Sequence, residues 1–341
     1  MSELILFDGR VLSRDTITGV ERYAAEIFEG VSTRKNTLLA HPKCGGTARD
    51  HIWVQAMLPL LATRLNATTV FCPVMDAPIF LANKIRLVVT IHDLAFLRNP
   101  EMYNSGFRLY YKSVMPFILR RANSIICLSN FEKEYISERF KVAPEKIHVV
   151  YHGVSDKFRQ VQPKKKLILA VSARNKHKNI ARLVSAFASI ADKIPHKLVL
   201  VGPKRSIISD SENFDDILDV LRKKNKIIET GYVSDAELVE WYGKAEIFAF
   251  PSLFEGFGFP PLEAMASGCA VTCSQASVLP EICGGGAVYF DPTSIEDIAS
   301  KLLLLATNEQ IRNEMVKKGT SHASAFTWDR CIAQTLTALE R

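Results

Sequence analysis

Two carboxylates stand eight positions apart in Glu255-Gly-Phe-Gly-Phe-Pro-Pro-Leu-Glu263, across a glycine-rich turn. The run before them, from Glu246 to Pro251, reads as a short buried strand, and Pro260 to Ser267 reads as a helix. A strand, a Gly-rich loop and a helix N-terminus make a place for phosphate, because free backbone N–H groups and the positive end of the helix dipole point into it. Glu255 at the loop entry and Glu263 inside the helix would accept hydrogen bonds from sugar hydroxyls on either side. A group with a diphosphate and two sugars is a nucleotide sugar.

Three further constellations fit that chemistry. The loop from Val171 to Ile180 carries Arg174, Lys176 and Lys178 after a strand and before a helix. Positive charge there suits a diphosphate leaving group, because it stabilises the oxygen that gains charge as the sugar departs. His92 and Asp93 end a strand in Thr90-Ile-His-Asp-Leu94, placed to touch a sugar hydroxyl or to stabilise positive charge at the anomeric carbon; Asp93 fits equally as a cap. Gly19, in Thr18-Gly-Val-Glu-Arg-Tyr23, allows close approach of backbone to a phosphate, while Arg22 and Tyr23 fit equally as helix surface and core.

The stretch from Phe250 to Gly268 resembles the Glu-x7-Glu signature of retaining glycosyltransferases of family four, and the resemblance runs from Asp8 to Trp328. It implies the GT-B fold, an α/β architecture of two Rossmann-like, doubly wound parallel-sheet domains facing a cleft. It implies transfer of a sugar from a nucleotide sugar to an acceptor hydroxyl with retained anomeric configuration. Glu263 would then hold the ribose, and Glu255 with the amides of Gly256, Phe257 and Gly258 the donor sugar. Lys178 would sit on the diphosphate and His92 near the donor sugar. Tyr232 stands where the family holds the nucleotide base, Gly19 in its Gly-x-x-Arg-Tyr turn, and Glu281 in its Pro-Glu pair. The family's usual Arg falls on Ala173, so Arg174, one position off, or Lys204 or Arg205 would substitute for it. No cofactor and no metal are expected, and with no carboxylate apparent as a nucleophile a same-face substitution is preferred.

The texture of these motifs resembles bacterial mannosyltransferases of surface-polysaccharide assembly, such as that of lipopolysaccharide O-antigen or capsule. GDP-mannose is accordingly the favoured donor, with a UDP-sugar second, and a lipid-linked oligosaccharide or polysaccharide the acceptor. Two rivals remain: a GT-B epimerase or phosphorylase, sharing the fold without this loop, and a basic nucleic-acid-binding protein. The second lacks an aromatic-interleaved or helix-turn-helix signature, so nucleic acid is not an expected partner.

Elements that would position these groups alternate along the chain. Strands are expected at Glu3–Asp8, Thr68–Cys72, Arg86–Ile91, Ser124–Ser129 and Ile147–Tyr151, with helices at Val20–Gly30, Trp53–Leu65, Gly106–Arg121 and Phe131–Phe140. After a polar, Pro-containing linker at 156–166 the pattern restarts, with strands at Leu167–Ser172, Lys197–Gly202, Lys226–Gly231, Ile247–Phe250, Ala270–Ser274 and Ala287–Phe290. Domains are expected at 1–160 and 161–325, with a helix at 326–341 that crosses back onto the first. Ser234 to Glu237 has the spacing of a capping box.

With 341 residues, 48% hydrophobic and 23% charged, the chain has material for two cores. No apolar run approaches the length needed to cross a bilayer. The N-terminus lacks the features of a signal peptide and reads as a first strand, and seven scattered cysteines read as reduced thiols of a cytoplasmic protein. Of the net charge of +7, residues 1–160 hold most, with 21 Lys and Arg against 15 Asp and Glu. That bias suggests an anionic partner on this side. Cations beside aromatics from Phe107 to Arg121 point to peripheral contact with the inner face of a membrane, although Phe107, Tyr110, Tyr111, Val114, Phe117, Ile118 and Leu119 also have core spacing.

Overall fold

The computed structural model describes residues 3–13, 19–42, 47–159, 162–172, 175–203 and 214–341. The chain forms two compact units, Met1–Gly153 with Thr327–Arg341, and Val154–Phe326. The segment expected as a linker differs from this division. Residues Asp156–Arg159 form a 3-10 turn of the second unit, where Phe158 is buried and its carbonyl accepts from Ser267 Oγ at 2.8 Å. A buried aromatic anchors the turn there despite its polar neighbours.

The first unit runs β1 (Ile5–Asp8), α1 (Gly19–Ser32), β2 (Thr37–Ala40), α2 (Thr47–Ile52), a π-helical turn (Trp53–Met57), α3 (Leu58–Arg64), β3 (Thr69–Cys72) and β4 (Arg86–Ile91). It continues with α4 (Ala95–Arg98), α5 (Ser105–Arg121), β5 (Ser124–Cys127), α6 (Asn130–Phe140) and β6 (Ile147–Val149), and α14 (Trp328–Glu340) closes it. Its six strands are parallel, in the order β2-β1-β3-β4-β5-β6. Alternation along the strands sends Leu6, Val70 and Leu87 to a core shared with α3 and α5, and Phe7, Phe71 and Val88 to one shared with α1 and α14. The π-turn precedes Pro59, which lacks the N–H a regular helix needs there; Leu58 N–H instead reaches Trp53 O. Strand β2 escaped the sequence reading because four residues after a polar run carry too little pattern.

The order of connection reverses between β1 and β3. At the carboxyl ends of these strands Arg10 lies between Asp8 (2.7 Å) and Asp76 (3.0 Å), all three buried. His51 Nδ1 (2.6 Å) and Tyr110 OH (3.2 Å) also meet the Asp76 carboxylate. Burial pushes the Asp8 carboxyl upward, opposed by the Arg10 charge. These polar partners compensate the buried charges and brace the loops after both strands.

The second unit runs β7 (Lys165–Val171), α7 (Ile180–Ile190), β8 (Lys197–Val201), α8 (Phe214–Lys223), β9 (Ile227–Gly231), α9 (Asp235–Lys244) and β10 (Ala245–Phe250). Then follow α10 (Phe259–Ala266), β11 (Ala270–Ser274), α11 (Leu279–Cys283), β12 (Ala287–Phe290), α12 (Ile295–Thr307) and α13 (Glu309–Ala323). Its parallel sheet has the order β12-β11-β10-β7-β8-β9. The reversal falls between β7 and β10. In open α/β sheets that crevice, at the carboxyl ends of the strands, is where ligands bind. Helices α11 and α13 go beyond the sequence reading; α13 is largely polar and shows only a weak apolar stripe.

Candidate active site

Lys178 and Glu255 meet at this reversal. Lys178 follows β7, Glu255 follows β10, and Nζ lies 2.7 Å from Oε1 with both side chains partly exposed. Each loop is tied to the other through its backbone and side chains. Leu253 N–H donates to the His177 carbonyl (2.8 Å), and Asn179 Nδ2 donates to the carbonyls of Pro251 (3.0 Å) and Pro292 (2.7 Å). Asn179 has φ +58°, a left-handed conformation Asn tolerates better than most residues. His177 stays below its ordinary pKa through burial and then through the Lys178 charge.

A second brace was not visible in the sequence. Ser277 Oγ accepts from Glu255 N–H (3.2 Å) and donates to the Glu255 carbonyl (2.8 Å), holding the main chain on both sides of the carboxylate's Cα. Ser277 itself adopts φ +60°. Both Ser277→Ala and Ser277→Gly remove this hydroxyl, but only glycine relieves the backbone. Each is expected to lower kcat/KM by roughly 5- to 30-fold, the scale of one or two hydrogen bonds. Ser277→Gly is expected to melt above Ser277→Ala. Paired melts and kinetics check this; a loss of activity that tracks melting temperature would reduce Ser277 to a purely structural tie.

The loop then turns into α10 through Gly258, whose φ is +102° and whose added Cβ would stand 2.9 Å from Leu279 Cδ2. No side chain caps α10, which has proline in its first turn. Pro260 and Pro261 carry no N–H, so the donors that could meet an anion at this end come mainly from the glycine-rich turn before the helix. Gly256 and Phe257 lie on the same approach, Phe257 with its ring buried. One helix turn in, Glu263 is only 5% exposed and its Oε2 accepts from the buried Tyr242 hydroxyl at 3.1 Å. Tyr242 is one partner that helps fix this carboxylate.

Other sequence-marked residues are spread more widely. Tyr232 is 86% exposed beyond β9, an edge strand two places from β7. Glu281 is half-buried on α11. Ser234 forms the expected capping box with Glu237. Gly19 starts α1 in the first unit. Tyr23 is core, its hydroxyl 3.0 Å from Thr90 Oγ1, and Arg22 is half-buried. His92 Nε2 donates to the Pro73 carbonyl (2.8 Å), leaving Nδ1 as the accepting nitrogen. Burial lowers its pKa to about 4, so the imidazole is neutral near pH 7. Asp93 is not the N-cap of α4, a place Leu94 takes; it accepts from Ala95 N–H (2.9 Å) just before the helix. Arg174, Lys204 and Arg205 lie outside the described residues.

Two family models match the chain. Residues 154–322 match the model described as glycosyl transferases group 1, and residues 66–158 match glycosyltransferase family 4. The chain belongs to the group 1/family 4 glycosyltransferases. This glycosyltransferase is 27% identical over 272 residues to O-antigen chain mannosyltransferase B of Escherichia coli, covering 74% of this chain and 70% of the relative. It is 31% identical over 207 residues to O-antigen chain mannosyltransferase RfbU of Salmonella typhimurium, covering 60% and 56%. Against a serotype-specific mannosyltransferase WbdA of Escherichia coli the identity is 26%, and the chain spans only 32% of that protein. In fold it is similar to Anabaena HepE, solved in complex with UDP, with a TM-score of 0.79, 16% identity and 99% coverage of both chains. The two doubly wound sheets are thus those of the GT-B fold.

Proposed function

We propose that this glycosyltransferase moves mannose from GDP-mannose, with retention, to a hydroxyl of a lipid-linked or polysaccharide acceptor. The observation that carries this reading is the Lys178–Glu255 pair beside the uncapped start of α10, at the β7/β10 reversal. The names of the O-antigen mannosyltransferases it is similar to support the choice of sugar. Lys178 and the amides of Gly256 to Gly258 meet the diphosphate, so this reading calls for no metal ion. Glu255, held by Ser277, accepts from hydroxyls of the sugar. Glu263, held by Tyr242, accepts from the ribose. His92 offers Nδ1 as a hydroxyl acceptor, and Tyr232 a flat exposed ring suited to a base.

In the transfer step the bond between the anomeric carbon and the phosphate oxygen breaks as the acceptor oxygen bonds that carbon on the same face. The acceptor proton passes to the departing phosphate oxygen, and GDP is released. Lys178 stabilises the charge that develops on that oxygen. An acceptor carried on lipid would place the enzyme peripherally on the inner face of the membrane through its basic first unit.

Thermal melts with GDP, UDP and ADP and their common sugars test the donor. At 100 times Kd, a ligand that binds only the folded protein adds about 2.7 kcal/mol. GDP and GDP-mannose are expected to raise Tm, and Glu263→Ala to abolish most of the rise. Stabilisation by UDP-sugars alone would replace the donor, and no response to any nucleotide would count against the site.

A further inference from the structure

The outer side of one helical layer of the first unit is apolar where water should meet it. Across α2, the π-turn and α3, Val54, Leu58 and Ala62 face the core, while Ile52 (66% exposed), Met57 and Leu60 face outward. Helix α5 repeats this arrangement, with Leu109 (69% exposed) and Phe117 outside Met115 and Ile118. The expected core role of Phe117 is therefore corrected: it lies on the solvent side of its helix.

The segment joining β3 to β4 binds to both helices. Ile79 N–H donates to Gln55 Oε1 (3.0 Å), and the Arg121 guanidinium donates to the carbonyls of Leu81 (3.2 Å), Ala82 (3.1 Å) and Ile85 (2.9 Å). Between these anchor points Phe80 is 81% exposed. The segment thus ties the two helical stretches together, and most exposed large apolar side chains among the described residues belong to these three stretches.

On α5 the exposed charge has one sign. Helix α5 contains no Asp or Glu and exposes Arg108, Lys112 and Arg120 beside Leu109 and Phe117. Arg49 and Arg64 are exposed toward the ends of the other helical stretch, and Lys84 follows Phe80. Separate apolar tips with cations between them suit the boundary of headgroups and acyl chains, where the tips enter and the cations meet lipid phosphates.

We propose that this face binds the anionic surface of a phospholipid bilayer. The proposal deepens the reading of a lipid-linked acceptor, since it names the surface that would bring the enzyme to one, but it can be tested without any transfer reaction. The full chain is floated with vesicles of phosphatidylcholine alone or mixed with phosphatidylglycerol, at low and high salt. Binding to the phosphatidylglycerol vesicles, weakened by salt, is expected. A double variant, Phe80→Asp with Phe117→Asp, and another, Arg108→Ser with Lys112→Ser, are each expected to lose roughly tenfold of the bound fraction. Unchanged melting curves show that the variants remain folded.

Failure to float with phosphatidylglycerol, or undiminished flotation of the aspartate variant, would overturn the proposal. So would a lipid-free dimer, seen by light scattering, that the aspartate variant disperses, because the face would then join two copies. Flotation without any nucleotide-induced rise in Tm would leave this surface standing and count against the donor reading alone.

Discussion

Replacing Lys178 by alanine is expected to lower kcat/KM by about 10²- to 10³-fold, the scale for removing one preorganised group from developing charge. Stability should change little, because the ammonium is partly exposed and its partner Glu255 keeps both backbone hydrogen bonds to Ser277. A fall mostly in kcat would mean that Lys178 acts as the diphosphate departs, whereas a rise in KM alone would mean that it binds donor and transition state equally. Lys178→Arg keeps the charge but replaces a compact ammonium by a planar fork, and is expected to recover only part of the loss. Steady-state kinetics on the three proteins, with matched melts, check this.

A large effect on stability is expected far from that chemistry. Gly153→Ala would place a Cβ 2.3 Å from Trp328 N and 2.7 Å from the Thr327 carbonyl carbon, where α14 begins. Backbone, unlike the end of a flexible side chain, cannot move aside cheaply. Destabilisation of about 2–4 kcal/mol is expected, lowering the melt of the first unit by roughly 5–15 °C. Gly285→Ala, whose Cβ would meet nothing within 4 Å, is the control expected to melt normally. Equal melts for both would mean that α14 is not held as tightly at Gly153 as the packing implies.

What was legible in the sequence followed from local chemistry. Buried parallel strands are short apolar runs, so β4, β11 and β12 were delimited to the residue. The Glu255 to Glu263 loop announced its turn through Gly258, and Ser234 its helix through the capping box. Less legible were features set by partners distant in sequence. Ser277 braces Glu255 from 22 residues away, and Tyr242 reaches Glu263 from 21. No spacing rule links either pair; the order of β7, β10 and β11 in the sheet brings them together. The unit boundary escaped for a similar reason, since a buried Phe158 outweighs the polar residues around it. Exposure of Phe80 and Phe117 could not be read from an apolar pattern, which gives a period without saying what covers the face.

The most direct test of the central claim is a crystal structure with GDP-mannose bound. The diphosphate should lie against the amides of Gly256 to Gly258 with Lys178 Nζ in contact, the ribose hydroxyls on Glu263 and the sugar beside Glu255. A nucleotide seated anywhere other than the β7/β10 reversal, or a diphosphate out of reach of Lys178, would contradict it.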